Sequence, residues 1–383
     1  MTRAPSVTLF AKREPTVTGT ARYARRLAEE LRRLGLAVRE RRSEPPWPPG
    51  LAGQLRRSGL DVNAFWASYP LVPPVPRRGV LHLTSQTVAT SIALVRPMVP
   101  TIVTVHDLIP YALRGDPRLS TLRHRPDALL YRLALRGLAR ADAVVCDSTY
   151  TADEVARLTR VPDARLHVVA LGTDLPVPPP AEQCDEALSR AGIGPGARYV
   201  LYVGSEDPRK NLMAAIEAFA RLAPSYPDLV FLKVGAAHHA DERGRLRAAA
   251  CRLGVGKRVL FTDQVSEADL WSLYARAAVA VSPSLFEGFG LPVLEAMAAG
   301  APVVAADRSS LPEAAGDAAI LTSPDPDGIA RAVRRVLDDP ALADDLRLRG
   351  RVRAARFSWR RTAEMTLAVY ERVASAAAPA AMT

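Results

Sequence analysis

The chain has 383 residues, 48% hydrophobic and 24% charged. That is ordinary for a soluble globular protein and enough for two cores of roughly 100–200 residues each. Cys146, Cys184 and Cys251 are far apart and odd in number, which argues against a disulfide framework or a cysteine metal site and makes a reducing cytoplasm the expectation. The net charge is +11, and it is uneven: residues 1–170 hold 26 Lys and Arg against 14 Asp and Glu, an excess of 12, while residues 171–383 hold 25 against 26.

In chain order, Ser6–Phe10 reads as a short apolar strand. It is too brief for a signal-peptide core, with Lys12, Arg13 and Glu14 directly after it. Thr20–Leu34 is an amphipathic helix with Ala21, Ala24, Leu27, Ala28 and Leu31 on one stripe. A Pro-rich loop spans Pro45–Pro49. Val80–Leu83, Thr101–Val105 and Ala143–Cys146 are continuous apolar runs, the mark of strands buried on both faces. Ser148 caps a helix to about Thr159, with Asp147 read as part of the same cap, and Leu166–Ala170 is the last strand of this half. Leu175–Pro180 carries four prolines and can be neither helix nor central strand, so it is read as a linker.

A second strand–helix series follows. Its strands are Tyr199–Val203, Val230–Val234, Val259–Phe261, Val279–Val281, Val303–Ala305 and Ala319–Leu321, and a long helix, Arg360–Ala377, closes the chain. Such alternation predicts two doubly wound parallel sheets. Ligands of open α/β sheets bind outside the carboxyl ends of the strands, so the loops there are the places to search. No stretch approaches the roughly 20 apolar residues a membrane helix needs. The basic first half fits either an Arg-rich compositional bias or a surface that meets something anionic, such as phospholipid head groups or an acidic acceptor. No basic run is interleaved with aromatics, which speaks against nucleic acid.

The most informative stretch is Ser282–Gly300, SPSLFEGFGLPVLEAMAAG. Glu287 and Glu295 bracket a Gly-Phe-Gly turn, and Pro292 sits where a helix begins. Gly288 and Gly290 let the backbone approach a ligand. The helix start offers amides and a positive dipole end to an anion, while the carboxylates suit sugar hydroxyls. Upstream, Pro208 fixes a turn after Tyr199–Val203, from which Arg209 and Lys210 leave together, two cations suited to a diphosphate.

These residues resemble the signature of family 4 glycosyltransferases, mannosyltransferase-like branch: Pro283-Ser284, Glu287–Pro292, Glu295–Ala298, Gly300–Val304, Leu311-Pro312-Glu313 and Ala315–Ala318. VGSEDPRKNL at Val203–Leu212, TVHDLIP at Thr104–Pro110 and TGTARY at Thr18–Tyr23 extend the resemblance over about residues 5–375. It implies a GT-B fold, with two Rossmann-like doubly wound domains facing a cleft. Residues 1–175 would form an acceptor-binding domain, 176–359 a donor-binding domain, and 360–383 a helix packing back toward the first.

It also implies roles. Glu287 would face the donor sugar, and Gly288, Phe289, Gly290 and Leu291 would contact sugar and phosphates. Glu295 would hold the ribose, and Arg209 and Lys210 the diphosphate. His106 would sit beside the sugar with Asp107 orienting its ring or capping a turn, and Gly19, in the first strand–helix loop, would lie against the phosphates. Many family members carry an arginine two residues after the strand, where this chain has Ser205; Arg209 is taken as its substitute.

The implied reaction is retaining transfer of a hexose, mannose favoured, from a nucleoside diphosphate sugar. GDP-mannose is the favoured donor, with UDP- and dTDP-sugars as alternatives. The acceptor would be a glycan, a lipid or a small molecule. No cofactor and no metal are expected. Asp325-Pro326-Asp327 has the form of a metal-binding pair but reads as a helix start, and the adjacent His238 and His239 would point apart on a helix. The expected location is cytoplasmic, with peripheral membrane association as an option. A non-catalytic sugar-nucleotide binder is the alternative; a dinucleotide oxidoreductase lacks its G-x-G-x-x-G, since only Gly19 follows the first strand.

Overall fold

A computed structural model describes residues 6–13, 18–44, 68–74, 76–120, 122, 125–237 and 240–377. The Pro45–Pro49 loop and His238-His239 lie outside the described residues. The chain divides into two compact units, one of residues 1–172 with 359–383 and one of residues 173–358.

In the first unit, β1 (Val7–Ala11), β2 (Val38–Arg42), β3 (Val80–Leu83), β4 (Thr101–Val105), β5 (Ala143–Cys146) and β6 (Leu166–Val168) form an all-parallel sheet in the order β2-β1-β3-β4-β5-β6. The central strands β3, β4 and β5 are buried at every position, as continuous apolar runs require. Leu81, Val103, Val105 and Val144 pack with Val88, Ile92, Leu135 and Leu138 in one core.

Strand β2, VRERR, is absent from the sequence reading for a physical reason. It is an edge strand paired only to β1, its last four residues are exposed, and charged side chains on an edge discourage further strand pairing. The helix Trp359–Ala377 belongs to this unit. Trp359 lies 6.5 Å from the Tyr23 ring, Thr362 Oγ1 donates to Ala170 O at 2.8 Å, and Tyr370 reaches the buried His82.

In the second unit, β7 (Arg198–Val203), β8 (Leu229–Val234), β9 (Val259–Phe261), β10 (Val279–Ser282), β11 (Val303–Ala306) and β12 (Ile320–Thr322) form another all-parallel sheet, in the order β12-β11-β10-β7-β8-β9. Val200, Tyr202, Phe231, Val281 and Val304 pack against Ile216, Phe219, Ile329 and Val333 of the covering helices. The order reverses between β7 and β10, and at such a switch point adjacent loops diverge and leave a crevice. The segment from Val169 to Pro180 carries no regular structure. Fold and topology are those of the GT-B expectation, two doubly wound parallel sheets.

Candidate active site

The loops after β7 and β10 are zipped together at the switch point. After β7, Asp207 accepts the Arg209 N–H at 3.0 Å and so caps the turn Pro208–Lys210. Leu285 N–H, from the loop after β10, donates to Arg209 O at 2.9 Å. Asn211 amide Nδ2 donates to Pro283 O at 3.1 Å and to Pro324 O at 2.8 Å, tying in the loop after β12. The result presents Arg209 and Lys210 to Glu287. Lys210 Nζ contacts Glu287 Oε1 at 2.5 Å, Ser284 Oγ donates to the same oxygen at 2.8 Å, and Arg209 Nη1 lies 3.8 Å from Oε2 while donating to Phe286 O at 2.9 Å. Burial alone would raise the Glu287 carboxyl; the Lys210 and Arg209 charges outweigh it and hold the group below the ordinary carboxylate range.

Gly290 caps the helix Leu291–Ala299 with φ 106°, a backbone that only glycine adopts readily, and a Cβ there would lie 3.1 Å from Leu311. Pro292 stands in the first turn, as expected. Both signature glutamates are buried, Glu287 8% and Glu295 6% exposed, so neither is a surface residue of an ordinary helix. Glu295 accepts from the Tyr274 hydroxyl at 3.4 Å.

Sequence reasoning missed the support beneath this loop. Glu206, 1% exposed, accepts from Lys233, which is fully buried in β8, and from Arg243, each at 2.7 Å; Arg243 also pairs with Asp263. Charged residues this deep need partners, and the cluster anchors the loop after β7 from below. An apolar strand interrupted by one lysine, with an acidic residue just past the neighbouring strand, was the available signal.

In the first unit, His106 follows β4, as predicted, and is 8% exposed. Both ring nitrogens are engaged: Nδ1 with Asp147 Oδ2 at 2.7 Å and Nε2 with Thr84 O at 2.9 Å. A carbonyl can only accept, so Nε2 carries a proton. Burial alone would lower His106; the Asp147 carboxylate outweighs it and raises the group above its usual range.

The Asp147 reading is thereby corrected, and of the two roles offered for Asp107 the turn cap stands. Asp147 does not cap the following helix; Ser148 does so alone, accepting Thr151 N–H at 3.0 Å, and Asp147 is free to turn back to the histidine. Asp107 does not orient the ring but accepts the Ile109 N–H at 3.1 Å as a turn cap. Gly19 is the first residue of the helix Gly19–Arg33, capped by Thr18, rather than part of the loop before it. A Cβ placed there meets no described atom within 4 Å. Tyr23 of that helix sets its ring edge-on to His106 at 4.9 Å.

Asp325 is the N-cap of the helix Pro326–Asp338 and Asp327 pairs with Arg221, so this pair is helix-start chemistry. Among the described residues no group of three or more His, Cys, Asp or Glu could hold a metal ion.

The family pattern described as Glycosyltransferase Family 4 matches residues 17–176, and that described as Glycosyl transferases group 1 matches residues 185–353. This chain belongs to the family 4 glycosyltransferases. A serotype-specific mannosyltransferase, WbdA of Escherichia coli, is 31% identical over 285 residues, 71% of this chain but 33% of that protein. This chain therefore spans about a third of that relative's length. The MMP alpha-(1->4)-mannosyltransferase of Mycolicibacterium hassiacum is 27% identical over 92% of this chain and 94% of its own. Among solved structures, a sucrose-phosphate synthase from Thermosynechococcus elongatus superposes with a TM-score of 0.74 at 24% identity, covering 97% of this chain and all of the other. Anabaena Alr3699/HepE in complex with UDP-glucose does so with a TM-score of 0.70 at 17% identity, covering 97% and 98%. At these identities the structural likeness establishes the GT-B fold. The loops that carry Arg209, Lys210 and Glu287 leave the switch point of the second sheet.

Proposed function

We propose that this glycosyltransferase transfers a hexose, mannose favoured, from a nucleoside diphosphate sugar with retention of configuration. GDP-mannose is the favoured donor and UDP- or dTDP-sugars are the alternatives. The observation that carries this reading is the pairing of Arg209 and Lys210 with Glu287 across two strand-end loops. The single Glu287 carboxylate faces both cations, with Asp207 3.6 Å from Arg209 as a second acidic partner. A donor diphosphate would take the cations over, and Glu287 would exchange them for sugar hydroxyls. The mannosyltransferase names of the two sequence relatives and the UDP-glucose of the structural neighbour support the donor class.

The chemistry follows from charge. Breaking the bond between the anomeric carbon and the diphosphate oxygen leaves negative charge on the departing nucleoside diphosphate. Lys210, Arg209 and the amino end of the helix Leu291–Ala299 stabilise that charge. The acceptor hydroxyl attacks the face the leaving group vacates and passes its proton to the departing diphosphate oxygen as the new bond forms. No protein group has to become covalently attached. Glu295 takes the ribose hydroxyls. We place no metal in this mechanism: two basic side chains supply the charge a cation would. A glycan, lipid or small molecule is the acceptor.

Incubation with GDP-mannose, UDP-glucose and dTDP-glucose, followed by NMR of the product's anomeric configuration, tests the reading; an inverted product would overturn retention. Activity should persist in EDTA, and loss restored by manganese would overturn metal independence. No described helix is long and apolar enough to cross a membrane. The excess of 12 positive charges in residues 1–170 suits peripheral contact with anionic lipid. Co-sedimentation with phosphatidylserine vesicles that weakens with salt is the expected outcome; equal binding to neutral vesicles would overturn it.

A further inference from the structure

Among the described residues, two that are not glycine adopt left-handed backbone: Asn211 with φ 58° and Ser309 with φ 50°. Such conformations cost free energy for residues bearing a Cβ, and they persist where the surroundings over-determine them. Both border the same cluster. Asn211 follows Lys210 directly, and asparagine tolerates this region. Serine has less reason to, so what its geometry achieves matters.

Ser309 lies between β11 and the short helix Leu311–Ala315. Its Oγ accepts the backbone N–H of Glu287 at 2.9 Å. The next residue, Ser310, is fully buried, and its Oγ donates to the backbone carbonyl of Glu287 at 2.9 Å. Two consecutive hydroxyls thus take both main-chain polar groups of one residue. Ser310 stands at the N-cap of its helix, where a serine oxygen ordinarily accepts an amide of the first turn, yet it makes no cap bond. The hydroxyl is diverted to Glu287. The helix is held from its other end by Arg353, which donates to Glu313 O at 2.5 Å and to Ala314 O at 3.1 Å. The serines therefore stand on a fixed base.

We propose that Ser309 and Ser310 are positioning residues: they clamp the backbone of Glu287 so that its carboxylate meets the donor sugar in register. The proposal rests on the donor-loop reading of Glu287 given above. It also accounts for a serine at a position whose backbone suits glycine better. Glycine would relieve φ but could not accept the Glu287 N–H.

Ser309→Gly, Ser309→Asn and Ser310→Ala in the full chain test it, with Lys210→Ala alongside. The readout is hydrolysis of GDP-mannose and of UDP-glucose, water serving as acceptor, together with Tm. Ser309→Gly should keep or raise Tm while kcat falls about 10-fold and donor KM changes less than about twofold, since small misplacements of a reacting group cost rate more than binding. Ser309→Asn keeps an acceptor oxygen and tolerates the backbone, so it should recover most of the rate. Ser310→Ala should fall with Ser309→Gly.

Wild-type kcat in Ser309→Gly would overturn the clamp, as would a parallel loss of Tm and kcat in all three serine variants. If Lys210→Ala is impaired and Ser309→Gly is not, the clamp alone is wrong; if Lys210→Ala also turns over normally, the donor-loop reading is wrong. Hydrogen exchange of the peptide spanning residues 283–290 needs no turnover. The Glu287 amide should exchange faster in Ser309→Gly, and unchanged exchange overturns the clamp.

Discussion

The two units hold charge in opposite ways. In the second, Arg209 and Lys210 meet Glu287 at the rim of the sheet, each side chain keeping 10–20% of its surface exposed. An arriving anion can displace that pairing. In the first, the ring of His106 is engaged at both nitrogens, and although the ring keeps 10% of its surface exposed, its partner Asp147 keeps only 2%. The contrast separates a cluster built to exchange partners from one built to keep them. On the proposed reading the two residues would do different work: a carboxylate that changes partners would follow a reacting sugar, whereas a ring held at both nitrogens would act through fixed charge and shape.

The largest effect should come from removing an exchangeable cation. Lys210→Ala should lower kcat/KM on the order of 10²-fold, about 2.7 kcal/mol of transition-state stabilisation. Steady-state kinetics on the donor that turns over checks it, and near wild-type values would mean that Lys210 merely neutralises Glu287.

The two glutamates should then fail differently. Interactions that strengthen in the transition state govern kcat, and those equal in both states govern KM. Glu287→Gln, at the displaceable pair, should lower kcat about 10-fold or more. Glu295→Gln, on the helix and bonded to Tyr274, should raise donor KM severalfold with kcat kept. If both variants lose only affinity, Glu287 is a binding residue.

How much of this was legible in the sequence follows the same division. The second unit could be read closely, because a strand end, three glycines, two prolines and two acids spaced along nineteen residues leave few ways to fold, and local geometry does most of the work. The first unit's site could be read only in part. His106 follows a strand visibly, but its partner Asp147 lies 41 positions away and looked like a cap because it precedes Ser148. Pairings between adjacent parallel strands leave no mark in local patterning. The same holds for Ser309 and Ser310, whose bonds to Glu287 span 22 and 23 positions, and for β2, whose charged sequence hides a strand at a sheet edge.

Asp147→Asn sharpens the fixed side of the comparison. His106 is raised by the Asp147 carboxylate, so the histidine's own contribution to stability is complete below about pH 6.5 and is lost as pH rises through the folded value. Wild-type kcat/KM should stay level through pH 6.5. Asp147→Asn removes the charge that holds the second proton and leaves burial to lower the group, so its profile should break lower than the wild type's, with kcat down severalfold. Coincident profiles would show that Asp147 does not set the charge of the ring.

The effect expected to touch activity least lies in the bonds that seat the last helix. Tyr370 OH meets His82 Nδ1 at 2.6 Å, His82 Nε2 meets Thr104 Oγ1 at 2.7 Å, and Tyr23 OH meets the same oxygen at 2.9 Å. His82 is fully buried, with no carboxylate bonded to it, and burial, with the nearby His106 charge second, pushes its pKa down to about 3. This is the opposite sign from His106 in the same unit. A base whose folded pKa is depressed is protonated first in the unfolded chain, so stability is full above about pH 6.5 and falls as pH drops toward 3. The slope approaches about 1.4 kcal/mol per pH unit within that window. Thermal melts of the wild type between pH 7 and 5 should show the loss, and His82→Gln, which keeps hydrogen-bonding capacity without a titratable ring, should show a flatter dependence from a lower starting Tm. An unchanged slope in that variant would place the acid sensitivity elsewhere and leave the Tyr370–His82–Thr104 chain as a hydrogen-bonded seat with no part in pH response.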